Sequence, residues 1–358
     1  MKHSIKELAI KNYKSIDFLS LDCKRINLFV GEPNIGKSNI LEAISFYGFA
    51  NNRSNKFMGD FIRYENFTQL FHNQNIASAI VVASQLGALW TRYDYTSSHF
   101  EFCTGYFSQA ENQGVLDTAE INRANLGRYV SDLNHRFLVE NECGNISELG
   151  DFRGQPKGHT TAFVKKYSFK QTSMDDLNNG LSLFPPHGTN LFRTLETHPL
   201  LQEEVADLLD PYELKLALRK AEKRIEIQKE VNRVTLSFPY ISLADTLRRI
   251  IFYYAAIISN KEAILLLEEP ESHFFPPYVK NLAFKIVEDT QNQYFITTHS
   301  PQLFNSLVEN TPEKELAVFA TFYENGTTKS KELSGNELSE ILDEGINVFS
   351  NIKRYTNE

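Results

Sequence analysis

Cysteine is scarce. The 358 residues contain only Cys23, Cys103 and Cys143. They are odd in number, far apart and without CxxC spacing, so neither a disulfide framework nor a cysteine-built zinc site is suggested. Long apolar runs are missing as well. The most apolar stretch, Ile250 to Ile258, is about half of what a bilayer crossing needs. The N-terminus lacks the apolar core and cleavage site of a secretory leader. Positive charge is not in excess: 37 Lys and Arg stand against 45 Asp and Glu, a formal charge of -8. That argues against a surface coated in a nucleic-acid-binding field, although a local basic groove stays open. No internal repeat, low-complexity tract or sustained heptad run is found. These absences predict a cytoplasmic protein, kept in a reducing compartment and neither exported nor embedded in a membrane.

What is present is ordinary globular material, with 42% hydrophobic, 12% aromatic and 23% charged residues, which excludes disorder and collagen. The length suggests about two lobes with a sizeable core. From Ile5 to Val30 the pattern reads as two or three strands ending in a buried one, Arg25 to Val30, and Ile40, Leu41, Ile44 and Phe46 then recur at helical spacing. Residues 50–110, rich in aromatic and β-branched side chains, read as an antiparallel sheet. The more polar stretch from 111 reads as a mixed, partly helical insert. Arg224–Lys229 and Val234–Phe238, with Asn232 in the turn between them, read as strands leading back to the sheet. A helix over Leu243–Ile258, a buried strand Ala263–Leu267, a helix near Tyr278–Asp289 and a strand Tyr294–Thr298 follow. That alternation is the mark of a parallel sheet with crossovers. A further strand from Glu315 and a helix around Glu337 close the pattern.

Three motifs carry chemistry. Gly31-Glu-Pro-Asn34-Ile-Gly36-Lys37-Ser38 fits GxxxxGK[ST] between a buried strand and a helix, where backbone amides can surround phosphate oxygens, Lys37 can bridge phosphates and Ser38 can hold Mg²⁺. Ile264-Leu-Leu-Leu-Glu268-Glu269-Pro270-Glu271 ends a buried strand in adjacent carboxylates. Such a place is costly for acids unless a cation compensates, so Glu268 is expected to face Mg²⁺ and Glu269 to polarise a water; a strand that merely emerges into solvent is the plainer alternative. Phe295-Ile-Thr-Thr-His299-Ser-Pro301 ends another buried strand, and His299 either serves the γ-phosphate or is a satisfied polar residue. In a doubly wound sheet all three strand tips meet at the carboxyl edge.

Together with the opening Ile10-Lys-Asn-Tyr-Lys-Ser-Ile16, the loop running on through Asn39 and Ile44, LLLEEPESHFFP and ITTHSP, these motifs resemble the ABC-class ATPases of the OLD and RecF type, relatives of the SMC proteins. The resemblance implies an α/β, ABC-type ATPase head: a mixed β-sheet lobe, a central parallel sheet flanked by helices, and a partly helical insert. Its expected parts are 1–110, an insert lobe at 111–230, and 231–358. It implies ATP and Mg²⁺ as ligands, bound by Gly31, Asn34, Gly36, Lys37, Ser38 and Asn39, with Ser38 and Glu268 at the metal, and Glu269 and His299 as catalytic residues. It also implies a head-to-tail homodimer or higher homo-oligomer that traps ATP against a signature helix of the second subunit, with no membrane. A separate effector, nuclease or toxin, would act in DNA maintenance or anti-phage defence, and nucleic acid stays open as a partner.

The match departs in places. The signature candidate, Ile241-Ser242-Leu243-Ala244-Asp245, has no glycine. Ser242 is assigned to the nucleotide of the second subunit, against a register that would use Ala244 and Thr246 or a simple helix cap. Lys14, in the first hairpin, is assigned near the nucleotide, against a solvated lysine in a polar turn. Gln69 is one guess at the metal-contacting glutamine, with a surface glutamine as the alternative. Too few residues follow His299 for the metal-binding nuclease domain that OLD-type nucleases append. A nucleotide sensor with little turnover and a transporter ATPase subunit are the rival readings.

Overall fold

The computed structural model describes residues 3–51, 56–106, 135–139, 146–148, 163–172 and 180–356. The chain begins with β1 (Glu7–Tyr13), β2 (Ile16–Asp22), β3 (Ile26–Val30) and helix α1 (Lys37–Ser45). After several 3-10 turns come β4 (Ile80–Ser84), β5 (Gly87–Asp94), β6 (His99–Tyr106), β7 (His135–Val139) and β8 (Ile146–Glu148). These join β1 and β2 in an antiparallel sheet of order β2-β1-β4-β5-β6-β7-β8. Next are β9 (Val164–Tyr167), α2 (Leu191–Thr197), α3 (Pro199–Leu209), β10 (Leu214–Arg219), β11 (Arg224–Val231) and β12 (Val234–Pro239). The remainder alternates: α4 (Asp245–Ile258), β13 (Ile264–Glu268), α5 (Pro276–Glu288), β14 (Gln293–Thr297), α6 (Pro301–Asn310), β15 (Leu316–Glu324), β16 (Thr327–Glu332), α7 (Gly335–Asp343) and α8 (Ile352–Thr356).

The central sheet runs β16-β15-β3-β14-β13-β9, parallel except for the β16 edge. Its strands are apolar on both faces because both are covered. Period two divides them cleanly. Leu28, Leu265, Leu267, Tyr294, Ile296 and Val318 join the core formed with α3 to α6. Phe29, Ile264, Leu266, Phe295 and Phe319 face the other way, into a core shared with α1 and the antiparallel sheet. The site is therefore held between two packed layers.

Two expectations need adjustment. Within the stretch 50–110 the strands of the antiparallel sheet begin at Ile80, not near residue 50. Before it, Phe57, Phe67 and Phe71 are buried, and they pack edge-on or tilted against Phe100 and Phe102, so the aromatic richness fills a core without forming strands there. The hairpin β11–β12 does not return to the central sheet; it pairs with β10 in a sheet of its own. Its turn is sharp, with Asn232 and Arg233 both left-handed at φ 51 and 65, as a tight two-residue hairpin requires. The stretch 111–230 supplies strands to all three sheets. Much of it lies outside the described residues, including 107–134 and 149–162.

Candidate functional site

The loop from Gly31 to Gly36 leaves the C-terminal end of β3 and feeds α1. Gly36 caps the helix with φ 100, and a Cβ there would come within 2.2 Å of Thr328 Oγ1 and 2.5 Å of Ser15 Oγ. Only glycine fits this backbone and this space. The Thr328 hydroxyl donates to the Ile35 carbonyl at 2.7 Å, and Asn39 Nδ2 donates to Ser15 Oγ at 2.7 Å. Asn34, at φ 61, stands exposed in the loop. The first turn of α1 has neither a side-chain cap nor an acidic residue, so its amides point at an unblocked anion position. Lys37 is only 5% exposed and donates to the carbonyls of Gly31 at 2.9 Å and Glu32 at 2.6 Å. Burial pushes its pKa down to about 8, against the opposing pull of Glu269.

The twin acids lie beside it. Glu268 ends β13, near the Ser38 hydroxyl. Its carboxylate also meets Arg63 Nη2 at 3.1 Å and Lys166 Nζ at 3.3 Å. Burial alone would favour its proton, but Lys166, Ser38 and Arg63 together hold it below the usual carboxylate range. Glu269 takes a left-handed φ of 43, and its N–H donates to the Thr297 carbonyl at 3.0 Å, a strained turn of the kind found at functional sites. Its carboxylate accepts from Ser272 Oγ at 3.3 Å and lies 3.6 Å from His299 Nε2. Burial and the nearby Lys37 charge lower the His299 pKa, while Glu269 pulls it up.

The strand tips of β3, β13 and β14 thus bring together Lys37, Ser38, Glu268, Glu269 and His299, with Gly31, Asn34, Gly36 and Asn39 shaping the loop. The other assigned residues have these surroundings. Lys14 is neither solvated nor idle: it pairs with Glu42 and donates to the Arg63 carbonyl at 2.7 Å. Ser242 is exposed beside a groove of about 560 Å³ lined by Tyr212, Phe238, Leu243, Phe275 and Tyr278. The cap of α4 is Ala244, so Ser242 is not that cap. Gln69 closes a capping box, its side chain accepting from the Glu65 and Asn66 amides at 2.9 and 3.2 Å.

Several residues escaped the sequence reading. Fully buried Glu42 on α1 gathers Tyr13, Lys14, Arg63 and Lys166 around its carboxylate. Glu271 accepts from the Thr298 hydroxyl and, at 3.3 Å, from the His299 amide, so it fixes the backbone that carries the histidine. Burial raises its pKa. The third acid of Glu-Glu-Pro-Glu was the available signal for it. Gln171 follows β9 at the same sheet edge and accepts from Arg248 Nη1 at 2.9 Å.

A hard divalent ion fits these donors. Among the described residues no group of three or more His, Cys, Asp or Glu could hold a metal. Ser38 and Glu268 instead offer two oxygens, which suits an ion such as Mg²⁺ that completes its shell with substrate phosphates and water.

Residues 87–305 match the family model described as "AAA domain, putative AbiEii toxin, Type IV TA system", and residues 1–140 match "AAA ATPase domain". Over 54 residues the chain is 41% identical to a protein of Clostridium perfringens (strain SM101 / Type A) named "DNA replication and repair protein RecF". That match takes in 14% of this chain and 15% of the relative's length. Among solved structures, an SMC head bound to the C-winged helix domain of ScpA aligns over 95% of this chain and 100% of that one, with 12% identity and a TM-score of 0.53. This likeness concerns the fold. With its loop, twin acids and histidine on one edge of that fold, the chain belongs to the AAA domain family matched over residues 87–305.

Proposed function

We propose that the protein binds and hydrolyses ATP in a nucleotide-sandwich dimer and that this cycle gates a separate partner. The observation that carries the reading is the meeting of Lys37, Ser38, Glu268, Glu269 and His299 at the carboxyl edge of the parallel sheet. Lys37 exchanges the Gly31 and Glu32 carbonyls for β- and γ-phosphate oxygens, while the loop and α1 amides bind the β-phosphate. Mg²⁺, held by Ser38 and Glu268, would neutralise charge on those phosphates. Glu269 orients a water in line with the γ-phosphorus and takes its proton. The water oxygen bonds to phosphorus, the bond to the β-phosphate bridge breaks, and ADP leaves. His299 fixes Glu269 and the γ-phosphate in position.

Ser242 and the start of α4 serve the nucleotide of the second subunit. The ScpA-bound SMC head and the RecF relative support a protein partner and a task connected with DNA, and anti-phage defence is the biological setting we infer. No helix among the described residues is long and apolar enough to cross a membrane, which supports a cytoplasmic site of action.

Turnover of purified protein tests this. Glu269→Gln is expected to lower turnover by at least about a hundredfold while strengthening ATP-dependent dimerisation in light scattering. Lys37→Ala is expected to weaken ATP binding. Wild-type binding of ATP without turnover would leave the nucleotide sensor as the better reading, and unchanged turnover in Glu269→Gln would remove that residue from its role.

A further inference from the structure

The carboxylate assigned to the metal already has cations on it. Arg63 Nη2 and Lys166 Nζ lie 3.1 and 3.3 Å from the two oxygens of Glu268. The two cations differ in setting. Lys166 is buried, its side chain 5% exposed, and it also donates to the Phe61 carbonyl at 3.0 Å. Removing its charge from that position would leave Glu268 without its buried cation. The Arg63 side chain is 66% exposed. Its backbone is tied down, since the carbonyl accepts from Lys14 Nζ at 2.7 Å, and Nε keeps a second contact with Glu42 Oε1 at 2.8 Å. Arg63 can therefore release Glu268 by a rotation about its outer torsions, into an open cavity of about 620 Å³ that its own segment lines together with Asp60 and Glu65. Leaving costs little, because the already exposed guanidinium goes to water.

We propose that Arg63 is an exchangeable counter-ion: it sits on Glu268 when no divalent metal is bound and is displaced when the metal arrives with the nucleotide. The inference rests on the ATP and Mg²⁺ reading of the site. A divalent ion added to a carboxylate that Arg63 and Lys166 already share is repelled by both. Arg63 therefore competes with the metal while substituting for it, and without the metal it supplies positive charge near the phosphates. Lys166 stays throughout and keeps Glu268 ionised and aimed. Arg63 is thus a positioning residue that sets how strongly nucleotide binding depends on the metal.

The test uses the full chain and a fluorescent non-hydrolysable ATP analogue, with Kd measured in Mg²⁺ and in EDTA. Kd in EDTA divided by Kd in Mg²⁺ reads the metal dependence. In Arg63→Gln the ratio is expected to rise about tenfold, because the metal no longer has a competitor and the metal-free complex has lost its substitute charge. Arg63→Lys, which keeps the charge but loses the reach to both acids, is expected to fall between. Thermal melting of both variants checks that the fold is retained. A ratio unchanged or lowered in Arg63→Gln, with wild-type binding intact, overturns the role of Arg63 and leaves the ATP reading standing. Absence of analogue binding by the wild-type chain in either condition overturns the ATP reading and this inference with it.

Discussion

Lys165 and Lys166, adjacent on β9, show how one residue type does two things. Lys166 meets acids. Lys165 reaches only neutral acceptors, Ser182 Oγ at 2.7 Å and Asn260 Oδ1 at 2.6 Å, and burial lowers its pKa from an ordinary 10.5 to about 8. In the unfolded chain the same ammonium keeps its proton up to the ordinary value. Between about pH 8 and 10.5 the unfolded state therefore holds more protons, and stability climbs with pH; below 8 both states are charged and the full cost of burying the ammonium is present. Lys165→Met is accordingly expected to be more stable than wild type at pH 7, with an advantage that shrinks toward pH 10. Urea midpoints across that range measure it, and parallel curves would contradict it. These lysines also explain what the sequence concealed. Two consecutive cations in Val164-Lys-Lys-Tyr167 hide a central-sheet strand, because alternation cannot show that one ammonium has a carboxylate waiting and the other a pair of neutral oxygens. Arg63 and Glu42 were equally illegible, since their partners come from distant segments. The glycine loop and the acid-tipped strand were legible because backbone conformation and local desolvation dictate them within a few neighbouring residues.

The elements differ in how well they are finished. Helices α6 and α7 begin with serine caps, Ser300 and Ser334, whose side chains accept from Leu303 and Glu337 amides at 3.2 and 3.3 Å. Helix α4 begins at Ala244, which has the extended backbone of a cap and no side chain to serve as one. Its first amides therefore remain open next to Ser242, where the proposed second nucleotide would supply the anion. Ala244→Ser is expected to raise stability by about 1 kcal/mol, seen as a higher urea midpoint with an unchanged slope. A lower midpoint would show that the extra side chain clashes at the helix start. The sequence reading found α4, β13, α5 and β14 nearly to the residue because each is amphipathic or buried in one unbroken run. It failed at β11–β12, where strand character was plain but the pairing partner, β10, is a matter of tertiary choice.

At the scale of the molecule, the proposed sandwich would pair the loop and acids of one chain with the exposed Ser242 of a second, so that a complete site would need two chains. Complementation tests this directly. Lys37→Ala and Ser242→Arg are each expected to lose turnover. Mixed in equal amounts, they are expected to recover roughly a quarter of wild-type rate, since half the dimers are mixed and each of those keeps one intact site. No recovery would argue against the composite site. The architecture has another consequence, set by Thr328. This fully buried residue, from the last hairpin, braces the phosphate loop by bonding Ile35, 293 positions earlier in the chain. Any loosening of the hairpin that carries Thr328 removes that brace from the glycine loop. The glycine loop thus owes its shape to a distant hairpin as much as to its own residues.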